Sequence, residues 1–125
     1  MFTLALQRSF SAKHALIGGD WGAENEVHSH EYRLELRLEG EKLNHHGYLI
    51  DLLELEQQLD DLLGSYKGTL LNELPEFEGL NPSLERFARN LCGALAVRLN
   101  APNLCAMRVQ LWESDLAWAS YRLEL

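Results

Sequence analysis

The nine residues His30 to Leu38 read HEYRLELRL, with Tyr32, Leu34, Leu36 and Leu38 at every second position. Successive side chains of an extended chain point to opposite faces, so this spacing gathers the apolar residues on one side only if the segment is a half-buried strand. Phe2 to Phe10 alternates more loosely and supplies a strand before it. Between the two lies IGGDWGAENE, rich in glycine and charge, which reads as a surface loop of the length usually reserved for function.

The period changes after the turn residues EKLNHHG. In YLIDLLELEQQLDDLLGSY the leucines recur at steps of three and four, which predicts an amphipathic helix ending near Gly64. KGTLLNELPEFEGL has glycine, proline and no sustained period, and reads as loop. A second helix starts beside Pro82, with Asn81 or Ser83 to accept the unpaired backbone amides, and runs through LERFARNLCGALAVRL to near Asn100. Cys105 to Trp112 and Leu116 to Leu125 are β-prone runs separated by Glu113, Ser114 and Asp115, a hairpin-like spacing. The expected fold is therefore α+β in the order β-β-α-α-β-β. It is a single domain over residues 1–125, with a four-stranded antiparallel sheet carrying both helices on one face. Such a sheet leaves two edges and a face uncovered. Closing several sheets into a barrel removes the edges, so a homo-oligomer is expected.

Composition narrows the functions. The 19 acidic against 11 basic residues give a formal charge of −8, which repels phosphate backbones and excludes a basic stripe of the kind nucleic-acid binders use. No apolar run approaches the roughly 18 residues of a membrane span. Cys92 and Cys105 lie in apolar surroundings, and MFTLALQRSF lacks a basic segment followed by an apolar run, so a reduced, cytoplasmic protein is expected.

The sharpest local feature is His28-Ser29-His30. Alternate residues of a strand share a face, so two imidazoles stand side by side. His14, at the end of the preceding strand in SAKH, could lie opposite them in an antiparallel pair. Three histidines with an open fourth position are a catalytic zinc set, although the same residues also suit an exposed strand-loop junction. Glu113 likewise reads as a solvated turn acid or as a carboxylate receiving two N–H donors from a heterocycle.

Taken in order, FSAKH, HSHEY, GYLIDLLEL, LNELPEF, NPSLERFA, WES and SYRLE resemble the 6-pyruvoyl/6-carboxytetrahydropterin synthases over nearly the whole chain. The resemblance implies the tunnelling fold, trimers stacked as hexamers that close the sheets into a barrel, and zinc held by His14, His28 and His30. It also implies a reduced pterin as small-molecule substrate, anchored by Glu113. Ser114 and Lys13 join it as substrate contacts, Lys13 and Lys67 through phosphate. Ser29 stands where the family has glycine, a change tolerated if the backbone φ there is not positive. Asn81, Pro82, Ser83 and Glu85 match a family stretch that helix capping already explains, and His45 and His46 read as turn residues.

The resemblance breaks at the proton-transfer groups. The family's cysteine four residues before the histidine pair is Glu24, and neither Cys92 nor Cys105 can replace it. The family's aspartate and histidine before the LN motif are Lys67 and Gly68. Glutamate at the cysteine position resembles a branch that cleaves the side chain of 7,8-dihydroneopterin triphosphate to a hydroxymethyl pterin, a branch that generally keeps the aspartate and histidine. Glu24, with Glu26 second, is thus the candidate acid or base, and a solvated loop acid is the alternative. The function expected is a zinc-dependent lyase acting on the side chain of a reduced pterin such as 7,8-dihydroneopterin triphosphate, like the carboxytetrahydropterin and pyruvoyltetrahydropterin synthases. The alternatives are a hydroxymethyl-dihydropterin-forming lyase and a zinc- and pterin-binding paralogue without turnover.

Overall fold

A computed structural model describes residues 1–125. Strands β1 (Phe2–His14) and β2 (His28–Gly40) are followed by helices α1 (Leu52–Gly64) and α2 (Leu84–Arg98), then strands β3 (Ala106–Ser114) and β4 (Ala117–Glu124). The four strands form one antiparallel sheet in the order β1-β2-β3-β4. No helix is long and apolar enough to cross a membrane.

Both opening strands are longer than their alternation suggests. They stay in register from Phe2 opposite Gly40 to His14 opposite His28, so the ladder carries β1 well past Phe10. Helix α1 starts later than its leucine spacing implies. Asp51 caps it by accepting the Leu53 amide, and Leu49 and Ile50 are buried outside the helix. Ser83, rather than Asn81, caps α2 by accepting the Arg86 amide. Ser114 belongs to β3, so the last hairpin turns at Asp115 and Leu116. Three-residue 3-10 turns at Leu71–Glu73 and Pro75–Phe77 punctuate the segment read as loop.

The apolar face of the sheet, including Phe10, Ala12, Leu34, Leu36, Leu38, Val109 and Leu111, packs under Leu55, Leu59 and Leu63 of α1 and Phe87, Leu91 and Leu95 of α2. Phe87 is the hub, its ring 5.3 Å from Tyr32 and Tyr66, 5.8 Å from Phe10 and 5.9 Å from Phe77. α1 is tied to β1 by Arg8, whose Nε donates to Asp60 at 2.8 Å. Gly40 ends β2 against the chain after α2, where a Cβ would lie 2.6 Å from the Asn103 carbonyl oxygen. β1 and β4 are the two open edges of the sheet.

Candidate metal centre

The β1–β2 ladder decides which side chains meet. His14 lies opposite His28 in its last pair, and His30 lies opposite Ala12, one step inward on the same face. The three rings therefore stand together on the helix-covered face, just beyond Phe10 and Tyr32, with centroids 4.6–4.7 Å apart. Their Nε2 atoms converge, His14 to His28 at 2.9 Å and His28 to His30 at 3.0 Å. No residue other than glycine has a positive φ, so Ser29 meets the condition set for it between the two histidines.

Neighbouring groups leave the inward nitrogens of His14 and His28 as electron-pair donors. Nδ1 of His28 lies 2.8 Å from the Glu26 carbonyl, which can only accept, so Nδ1 carries the proton and Nε2 the free lone pair. His14 Nδ1 lies 3.3 Å from the Tyr32 hydroxyl, and the backbone of Pro82, which has a carbonyl but no N–H, is near enough to the ring to favour its protonated form slightly. His14 is 4% exposed. Burial, followed by His30 and His28, lowers its pKa from 6.5 to about 4, against smaller upward contributions from Glu24 and Pro82. It is a neutral imidazole across the physiological range. Tyr32 is raised by burial and then by Glu113 and Glu24. An ion held tetrahedrally by imidazoles at about 2.0–2.1 Å spaces the nitrogens about 3.3 Å apart, so this set needs to open by only a few tenths of an ångström. The donors suit a borderline metal ion.

Glu24 reaches the same point from the β1–β2 loop. Its Oε2 lies 2.9 Å from His28 Nε2, and with the three histidines it forms a group of four donors within 4.8 Å of one another. Glu26 does not join them. It follows a 3-10 turn in extended conformation, offers its carbonyl to His28 and leaves its carboxylate in solvent. The loop is clipped by Asn25, whose side chain accepts the Trp21 amide and donates to the Leu16 and Gly19 carbonyls. Asn72 grips Ala15 twice, accepting from its N–H and donating to its carbonyl, both at 2.9 Å. Asn81 accepts the Ile17 amide at 2.7 Å. The LN and NP motifs thus hold the chain directly after His14, a role the sequence reading did not give them. An asparagine in a loop leaves no periodic signal of the distant backbone it binds.

Glu113 is the extra residue of a bulge, since Trp112 pairs with Trp118 and Ser114 with Ala117. Bulges re-aim side chains beside functional sites. β2 and β3 part after the pair Arg33 and Trp112, leaving a cavity of about 410 Å³ lined in part by Glu31, Tyr32, Glu113 and Ser114. Ser114 is occupied in the turn, its hydroxyl accepting the Leu116 amide. Lys13 is not brought to the histidines. It sits between buried Ala12 and His14, so the pleat sends its side chain to the opposite face. Lys67 is exposed, and Gly68 has φ +69°, a left-handed conformation that favours glycine. His45 and His46 stack at 3.9 Å in the turn before α1.

The model of the 6-pyruvoyl tetrahydropterin synthase family matches residues 3–124. The chain belongs to that family. Its members process pterin side chains, and the chain is similar to two of them over most of its length. One is an Archaeoglobus fulgidus protein provisionally named a 6-carboxy-5,6,7,8-tetrahydropterin synthase, 28% identical over 95% of this chain and 94% of the relative. The other is the dihydroneopterin monophosphate aldolase of Pyrococcus furiosus, 32% identical over 86% of this chain and 85% of the relative. The synthase fold is shared with the Caenorhabditis elegans 6-pyruvoyl tetrahydropterin synthase, with a TM-score of 0.85 at 24% identity over 98% of this chain and 96% of that one. A Plasmodium vivax synthase variant superimposes with a TM-score of 0.83 at 16% identity, covering 99% and 98% of the two chains.

Proposed function

We propose that the chain is a zinc-dependent lyase that breaks a carbon–carbon bond in the side chain of a 7,8-dihydroneopterin-type substrate, with Glu24 as its proton-transfer group. The observation that carries this reading is the Glu24 carboxylate at the histidine cluster, 2.9 Å from His28 Nε2. Zinc held by His14, His28 and His30 would polarise the side-chain hydroxyls and make their protons easier to remove. Glu24 accepts the proton of the second side-chain hydroxyl. The bond between the first and second side-chain carbons then breaks, its electron pair passing into the C6–N5 imine of the ring and the departing fragment leaving as an aldehyde. Glu24 returns the proton to the first carbon, leaving a hydroxymethyl dihydropterin. One carboxylate completes this cycle, whereas synthase chemistry moves more protons and the positions of the related aspartate and histidine hold Lys67 and Gly68. Glu113 accepts the amino-pyrimidinone N–H groups and fixes the ring. The resemblance to an archaeal aldolase at 32% identity supports the same reaction class. The open strands β1 and β4 are the surfaces through which subunits would close a barrel.

A second reading, a pterin-binding paralogue without turnover, is favoured by the same Lys67 and Gly68. The test is product analysis after mixing zinc-loaded protein with 7,8-dihydroneopterin mono- and triphosphate, beside Glu24→Gln and His28→Ala. A hydroxymethyl pterin formed by the parent and lost in both variants supports the lyase. Unchanged substrate that still binds the parent overturns it in favour of the binding paralogue.

A further inference from the structure

Resting on that metal-dependent reading, we infer that Glu24 is an exchangeable fourth ligand, closing the metal centre at rest and leaving it when the substrate's hydroxyls arrive. The contact of Glu24 Oε2 with His28 Nε2, at 2.9 Å, has the same length as the His28 contacts with the other imidazoles, and all four donor atoms lie within 4.8 Å of one another, so the oxygen stands beside the open position of the cluster. The carboxylate has no other ion-pair or hydrogen-bond partner in the structure, and no lysine or arginine competes for it. Three imidazole nitrogens and one carboxylate oxygen would make up a four-donor set for a divalent ion.

The attachment of Glu24 separates a held backbone from a free side chain. Its carbonyl accepts the Leu16 amide at 2.8 Å, and the adjacent Asn25 clips the loop at Trp21, Leu16 and Gly19. Beyond the Cα the side chain is 51% exposed and crosses the loop to reach the histidines. It can swing off the cluster by side-chain rotation while the loop stays closed. The exchange is a ligand substitution in which a substrate oxygen enters as the carboxylate oxygen leaves, with no change of oxidation state.

The experiment is a cobalt(II) titration of the metal-free protein, parent, Glu24→Gln and Glu26→Gln, read by visible absorption and by chelator competition. Glu24→Gln should bind cobalt about tenfold more weakly or worse and give a different resting spectrum, since losing a direct ligand costs no less than losing an outer-shell partner. Glu26→Gln should match the parent. Addition of 7,8-dihydroneopterin should shift the parent spectrum and abolish its difference from Glu24→Gln, because Glu24 has then left the ion in the parent. Equal resting spectra and affinities for parent and Glu24→Gln would overturn the inference while leaving the metal centre standing, as would a spectral difference that persists with the pterin bound. Failure of the parent to bind cobalt would remove the metal-dependent reading itself, and this inference with it.

Discussion

Acidifying the metal-free protein should destabilise it through His14. In the folded chain its pKa is lowered from 6.5 to about 4 by burial and by the two neighbouring imidazoles. A depressed histidine is neutral when folded and protonated when unfolded between these two values, so its penalty is absent above about pH 6.5, grows as pH falls, and saturates below about pH 4. The shift is worth about 3 kcal/mol in full, and about 2 kcal/mol of it is lost between pH 7 and pH 5. That is a large share of the roughly 5–15 kcal/mol holding a domain together. Urea unfolding at pH 7, 6, 5 and 4 with chelator present measures it, and His14→Gln supplies the comparison because glutamine keeps a polar side chain without a titratable ring. The parent should lose about 2 kcal/mol more than His14→Gln from pH 7 to pH 5. Parallel pH profiles for the two proteins would refute the assignment of a buried neutral imidazole at this position.

Asn72→Ala removes both hydrogen bonds to Ala15 and leaves its N–H and its carbonyl without their side-chain partner. It should cost about 2 kcal/mol in denaturant unfolding and weaken metal binding measurably, since the chain leaving His14 is no longer held. Phe87→Ala empties the centre of an aromatic cluster that includes Phe10, Tyr32, Tyr66 and Phe77. A loss of about 3–5 kcal/mol is expected by the same assay, and a loss under about 1 kcal/mol would show that the hub closes over the gap. Saturating zinc should raise the unfolding temperature of the parent, reversibly on adding chelator, and should do so much less in His28→Ala.

The strands and the histidine cluster were legible for one reason: a period of two assigns faces. Once HEYRLELRL is a strand, His28 and His30 share a side with Tyr32, and an antiparallel partner ending at His14 has one place to put its ring. The helices were legible as bodies but not at their ends. Asp51 and Ser83 cap through contacts with the next turn, and several polar residues beside each could have served. What could not be read were the long-range polar contacts. Asn72 and Asn81 bind backbone fifty-seven and sixty-four residues away, and nothing in their neighbourhoods encodes those partners. The side-chain directions of Lys13 and Glu26 were missed for a related reason. Proximity in sequence to a ligand says little where a pleat or a turn sends the side chain elsewhere. The bulge at Glu113 depends on a one-residue mismatch between β3 and β4 that residue composition does not register.

The loop carrying Glu24 begins and ends at the histidine cluster, at His14 and His28, and is pinned near its start by Asn72 and Asn81. Its two ends are therefore fixed at the histidines, while the Glu24 side chain between them stays exposed. An exchange at position 24 would change the group that stands beside the three histidines while the core beneath them keeps its packing. A scaffold arranged in this way concentrates variation in its exposed loop and leaves the pinned ends and the packed sheet as they are.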